Sequence, residues 1–276
     1  MNLLQSFIYG LLSGVTEFMP ISSFGHQTML RRLFGASYWD PVMDLFVHMA
    51  LCVTALFVFR SNIDGYIREM GLRQQRGRRR RVYSNPRYTY EVRLLITATI
   101  TMFAVLLFTA AARNLEANPL LVCLFFVING IMLFIPDYVR QTNKDAKMLS
   151  RFDGVLIGLG SGLRILPGIS GVAMGLSVAT LRGADKKQAL NWMLILCIPA
   201  LVMLCFFDFI GIFTVAGFTV SFMGFLGYLL AAVGAAVSGY AILVFVRFLI
   251  VHTGTGGYAC YCWGMAIMTF ILYLIS

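Results

Sequence analysis

Six apolar runs, at about 41–59, 92–112, 119–139, 188–207, 220–250 and 257–275, are each long enough to cross a hydrocarbon core roughly 30 Å thick. Of 276 residues, 59% are hydrophobic and only 12% charged, more apolar surface than a soluble domain can bury. The expected fold is therefore an all-α polytopic membrane protein. The long run 213–250 fits either one tilted helix with a lead-in or two shorter elements, and periodicity does not choose between them. The first residues, Met1 to Gln5, carry no positive n-region or small-residue cleavage site and are taken as mature sequence. Six cysteines (Cys52, Cys123, Cys197, Cys205, Cys260, Cys262) fall mostly inside apolar runs without metal-like clustering, as expected of small core residues.

Two further stretches, 1–34 and 153–181, are apolar but interrupted by Gly and Pro, and they look like copies of each other. Gly14 to Ser23 matches Ser161 to Ser170, so that Glu17 pairs with Arg164 and Ser23 with Ser170, each charge three residues before Pro20 or Pro167. Broken backbone at membrane depth is tolerated only where it is buried in protein or lines a cavity. Two such breaks in a repeated chain mark a site near the bilayer midplane. The expected organisation is one membrane domain over 1–276. Residues 1–139 and 153–276 are inverted-topology repeats, each with a re-entrant helical hairpin plus spanning helices, joined by a connector over 140–152.

Charge sets the expected orientation. Ten of the 22 Lys and Arg lie in 60–93, four in 140–151 and three in 182–187, so these loops are expected on the cytoplasmic side. The first hairpin then enters from outside and the second from inside, an inversion derived without the sequence match; 113–118 and 208–219 fall outside. The run Arg76-Gly77-Arg78-Arg79-Arg80-Arg81 is an orientation signal touching anionic headgroups, and no nucleic-acid partner is implied.

Removing the loops leaves Glu17, His26, Asp44, His48 and Arg164 as ionisable groups at depth. Each costs about 2.5–3.5 kcal/mol there even on the lenient insertion scale, which makes each a functional candidate. Two plainer readings stand beside that one. Asp44 and His48, at i and i+4, could simply hydrogen-bond each other, and Glu17 with Arg164 could be a structural ion pair fixing the register of the repeats. A guanidinium, the hydroxyls of Ser22, Ser23 and Ser170, and helix ends converging at one depth suit a phosphate group better than a sugar or a metal ion.

The segments Thr16-Glu17-Phe18-Met19-Pro20-Ile21-Ser22-Ser23-Phe24-Gly25-His26, Met43-Asp44-Leu45-Phe46-Val47-His48, Leu166-Pro167-Gly168-Ile169-Ser170 and Gly183-Ala184-Asp185-Lys186-Lys187-Gln188-Ala189 resemble the undecaprenyl-diphosphatase (bacitracin-resistance) family, nearly end to end. The resemblance implies a bacterial inner-membrane protein with inverted repeats and re-entrant hairpins. Such a protein hydrolyses the diphosphate of the polyprenyl lipid carrier to the monophosphate for reuse in cell-wall synthesis, often with a divalent cation. It implies catalytic roles for Glu17, Ser22 and His26, with the other polar groups expected at depth, Ser23, Arg164, Ser170, Asp44 and His48, as candidates for substrate binding. The family's glutamate four residues before Glu17 is here Ser13, and its motif arginine after Ser170 is here Gly171. Loss of such an arginine typically costs a factor of about 10³ or more.

The first expectation is therefore a binder or flippase of polyprenyl phosphate with impaired catalysis, Arg164 having taken over as anchor. The alternative is a diphosphatase, and a third is a structural partner of other wall-synthesis enzymes. On the first reading, Ser13→Glu with Gly171→Arg is expected to raise hydrolysis.

Overall fold

A computed structural model of the protein describes residues 1–36, 39–75, 86–139, 143–214 and 221–275. Among these residues there are eleven α-helices and no β-strand. They are α1 (Leu3–Phe18), α2 (Ser23–Leu33), α3 (Pro41–Gln75), α4 (Pro86–Leu106), α5 (Thr109–Arg113), α6 (Pro119–Phe134), α7 (Arg151–Gly162), α8 (Gly171–Leu181), α9 (Lys186–Thr214), α10 (Phe222–Thr253) and α11 (Gly256–Ile275). Six of them, α3, α4, α6, α9, α10 and α11, are long and apolar enough to cross a membrane. These six correspond to the six apolar runs, and the chain is an all-α polytopic membrane protein. The arginine run 76–81 and Arg140 of the connector lie outside the described residues.

Helix ends follow local chemistry more closely than hydropathy. The 35 residues of α3 continue past the apolar run through Arg60 and Arg68, giving a rod of about 52 Å that outreaches the hydrocarbon core. Within the ambiguous run 213–250, α9 ends at Thr214 and a single helix, α10, starts at Phe222 behind the N-cap Ser221. Asn2 with Gln5, and Ser150 with Asp153, form reciprocal capping boxes at the starts of α1 and α7.

Glycines allow the closest helix contacts. A Cβ at Gly10 would lie 2.0 Å from the Ala231 carbonyl oxygen of α10, and one at Gly158 would lie 2.2 Å from that of Ala98 on α4. Both α1 and α7 thus dock backbone to backbone, the small-residue packing that membrane helices use in place of a hydrophobic drive. The cysteines are all free; Cys52, Cys197 and Cys262 are buried, while Cys260 is exposed.

The two Gly/Pro stretches are helix, break, helix. The first break, 19–22, is closed by Ser22, whose φ of 69° turns its hydroxyl back to accept from the Gly25 and Gly168 amides at 3.2 and 3.1 Å. In the second, a 3-10 turn over Leu163–Ile165 leads to a break closed by Ser170, which accepts from Ala173 N at 3.3 Å and donates to the Met19 carbonyl at 3.2 Å. Asn129, fully buried in the middle of α6, joins the breaks: its Nδ2 donates to the Pro20 carbonyl at 3.1 Å and its Oδ1 accepts from Ser170 N at 2.8 Å. Buried backbone groups freed by a helix break need such partners. Asn129→Leu is expected to leave a buried carbonyl and a buried amide unpaired, costing about 2–6 kcal/mol at about 1–3 kcal/mol per group. Unfolding in mixed detergent checks this, with Asn129→Asp, which keeps an acceptor for Ser170 N, expected to be milder.

Candidate functional site

Glu17 stands on the last turn of α1 and Arg164 in the 3-10 turn after α7, so both charges project where their helices stop. Arg164 Nη2 donates to Glu17 Oε1, with side chains only 10% and 2% exposed. The pair that the repeat predicted is formed. It lies on a small cavity of about 50 Å³ that Ser23, Gln27, Asp44, His48, Arg113 and Ser170 also line. That is room for roughly three or four waters.

Six of the eight residues singled out from sequence meet here; Ser22 and His26 do not line the cavity. The Ser22 hydroxyl is spent on the two backbone amides, a consequence of its left-handed backbone. His26, one turn into α2, faces α11. Its Nδ1 lies 2.7 Å from the Ser22 carbonyl, its Nε2 lies 2.8 Å from the Tyr261 hydroxyl, and its ring stacks on Tyr261 at 5.6 Å. Both ring nitrogens are engaged, contrary to the phosphate-facing placement expected from the resemblance.

Asp44 and His48 share a face of α3 but do not bond each other. Asp44 accepts from the Tyr9 hydroxyl at 2.6 Å and from Trp39 Nε1 at 2.8 Å, with Arg31 and Arg113 at 3.7 and 3.8 Å. His48 Nδ1 lies 2.6 Å from Asp208 Oδ2, and Asp208 Oδ1 accepts from Arg113 Nη2 at 2.7 Å. Arg113 in turn lies 3.5 Å over the Trp39 ring, and Arg31 reaches Glu116 at 2.5 Å. Asp208 and Arg113 were both missed from sequence, because charge counting assigned 208–219 and 113–118 to outer loops. Asp208 is instead fully buried on α9, a lone acid in the apolar stretch Cys205 to Ile210, and that isolation was the available signal.

The two departures from the family motif have local explanations. A Cβ at Gly171 would lie 2.6 Å from the Ser161 carbonyl oxygen and 3.1 Å from Arg164 Cβ, so the Arg164 stem lies against the backbone where a larger residue would stand. Ser13 is buried behind Gln27, whose Nε2 donates to the hydroxyls of Ser13 and Ser23 at 3.0 and 3.2 Å. An amide thus fills the wall beside the position where the motif has a second acid.

These donors do not fit a protein-held divalent cation. Glu17 faces Arg164, Asp44 and Asp208 face arginines and neutral donors, and no three His, Cys, Asp or Glu side chains among the described residues converge as a ligand set. What the cavity offers is two guanidiniums, three hydroxyls, an amide, an imidazole and two carboxylates, and its cations and neutral donors suit a phosphoryl group.

A family model described as bacitracin resistance protein BacA matches residues 6–268. The chain belongs to the BacA family. Among curated proteins, this BacA-family chain is 28% identical to the undecaprenyl-diphosphatase of Methanobrevibacter smithii, the alignment covering 98% of each chain. It is 26% identical to undecaprenyl-diphosphatase 1 of Shouchella clausii, over 98% of this chain and 96% of that one. A similar protein from Carboxydothermus hydrogenoformans, also named undecaprenyl-diphosphatase, is 24% identical over 99% and 98%. Nothing in these relatives' names favours a flippase or a binder without catalysis, the first expectation from sequence; they favour its alternative.

Proposed function

We propose that this chain hydrolyses a polyprenyl diphosphate to the monophosphate, with the phosphoryl group bound between Arg164 and Arg113. The observation that carries the reading is the convergence of those two guanidiniums with Glu17, Ser23, Ser170 and His48 on one buried cavity. Phosphoryl transfer asks little covalent chemistry of a protein. It asks for positioning and for positive charge around the equatorial oxygens. Arg164 supplies that charge from the second break and Arg113 from the end of α5, while the Ser23 hydroxyl donates to a non-bridging oxygen. Glu17 holds Arg164 by its ion pair and orients the attacking water once the guanidinium turns to phosphate. Each arginine already faces a carboxylate, so the ligand enters by exchange rather than into a vacant positive hole.

A second reading, a binder or flippase of polyprenyl phosphate with impaired catalysis, draws support from Ser13 and Gly171, which stand where the family motif carries charge. Purified protein given polyprenyl diphosphate discriminates: sustained release of inorganic phosphate, lost in Glu17→Gln, is the expected result. Retention of lipid phosphate without any release would overturn hydrolysis in favour of the second reading.

The inverted repeat belongs to the same proposal. Packing partners support it: α1 lies on α10 as α7 lies on α4, α10 on α3 as α4 on α9, and α3 with α9 and α6 with α11 pair directly. That exchange pattern is what two copies related by a pseudo-twofold axis produce. With 60–93, 140–151 and 182–187 cytoplasmic, the protein is oriented in a bacterial inner membrane with Arg113 near the outer face.

A further inference from the structure

One imidazole of the cavity has a nitrogen to spare. His48 lines the cavity wall, its Nδ1 lies 2.6 Å from Asp208 Oδ2, and no hydrogen bond engages its Nε2 among the described residues. Asp208 has no exposed surface, and its other oxygen accepts from Arg113 at 2.7 Å. Arg113 is clamped in turn over Trp39. A carboxylate fixed from behind holds Nδ1 as the N–H and presents Nε2 as an acceptor, because the hydrogen bond at one ring nitrogen decides the state of the other. The same logic orients the histidine of hydrolytic triads. A packing role alone gives no reason for a buried acid on α9 to be matched to both an arginine and a histidine at normal hydrogen-bond lengths.

We propose that His48 is the proton-accepting group that the cavity presents to the diphosphate, and that Asp208 is its positioning residue. The inference rests on the hydrolytic reading above. The oxygen of a water attacks the terminal phosphorus while its proton passes to His48 Nε2. The bond from that phosphorus to the bridging oxygen breaks, and the electron pair leaves on the lipid monophosphate. The proton then returns to the outgoing inorganic phosphate, restoring the neutral ring.

Two arms test this on the purified full-length protein. In the first, phosphate release from polyprenyl diphosphate is measured for wild type, His48→Gln, Asp208→Asn and His48→Gly. His48→Gln is expected to lower kcat by at least about 100-fold with KM changed less than about threefold, and Asp208→Asn by about 10- to 100-fold. Added imidazole is expected to restore part of the His48→Gly rate, and not to do so when Asp208→Asn is combined with it. A structural role would not respond to imidazole. Wild-type turnover that survives His48→Gln within a few fold would overturn the proposal.

In the second arm, diethyl pyrocarbonate labelling is mapped by mass spectrometry. His48 is expected to be modified, and to be protected by polyprenyl diphosphate but not by polyprenol. Labelling of His48 that ignores the diphosphate, or no labelling of it, contradicts the proposal. If wild type releases no phosphate, the hydrolytic reading and the proton-accepting role fail together, and protection at His48 then separates a ligand-facing imidazole from a buried one.

Discussion

Arg164→Ala is expected to lower phosphate release by about 10³-fold or more, the usual cost of removing a charged donor from a transferring phosphoryl group. The change also strips Glu17 of its partner in a site where both side chains are nearly inaccessible. Breaking a buried pair from one side costs about 3–5 kcal/mol because an uncompensated charge remains. Rate and stability must therefore be separated. Arg164→Ala combined with Glu17→Gln removes the orphan charge, so it is expected to recover much of the lost stability and none of the lost activity. Arg164→Lys keeps the charge but not the planar fork, and is expected to recover activity only in part. Phosphate release and detergent unfolding, measured on the same preparations, check all three variants. A pair that served only to join the two breaks would show activity following stability.

Gly171→Arg is expected to impair the protein, although it restores the arginine of the family motif. The first side-chain atom already falls 2.6 Å from the Ser161 carbonyl oxygen and 3.1 Å from Arg164 Cβ. Of these neighbours the backbone oxygen cannot move aside without shifting the end of α7. Overpacking of this kind costs about 1–3 kcal/mol and occasionally more, and a second guanidinium would crowd the first around one carboxylate. Ser13 too is enclosed, behind Gln27, so Ser13→Glu with Gly171→Arg is expected to crowd the site rather than raise hydrolysis. Lower yield, a lower unfolding midpoint and no gain in phosphate release are the expected results. Adding Arg164→Ala removes the contact with Arg164 Cδ at 3.5 Å but leaves those with Arg164 Cβ and Ser161, so the double variant is expected to regain little of the stability.

The elements that hydropathy controls were legible in the sequence. Each apolar run became a spanning-length helix, and the Gly/Pro stretches became breaks, because lipid leaves the backbone few other options. The meeting of Glu17 with Arg164 was legible too, since two isolated opposite charges in otherwise apolar sequence, each three residues before a proline, have few alternatives. What lay beyond reach depended on rotation of helices about their axes and on single backbone angles. Ser22 and Ser23 are adjacent and chemically identical. The φ of 69° at Ser22 sends one hydroxyl to the second break and leaves the other on the cavity. His26 carries the motif, yet its position on α2 turns it to Tyr261. Asn129 escaped because reading for ionisable groups passes over an amide, though an amide is what buried, unpaired backbone requires.

The most direct measurement is an experimental structure of the protein with a non-hydrolysable polyprenyl diphosphate analogue bound. The terminal phosphoryl group is expected between Arg164 and Arg113, within hydrogen-bonding distance of Ser23 or Ser170, with His48 Nε2 facing it and the Glu17–Arg164 contact opened. A headgroup bound instead beside His26 and Tyr261, or at the Arg31–Glu116 pair, with the Glu17–Arg164 bridge intact, would contradict the assignment of this cavity.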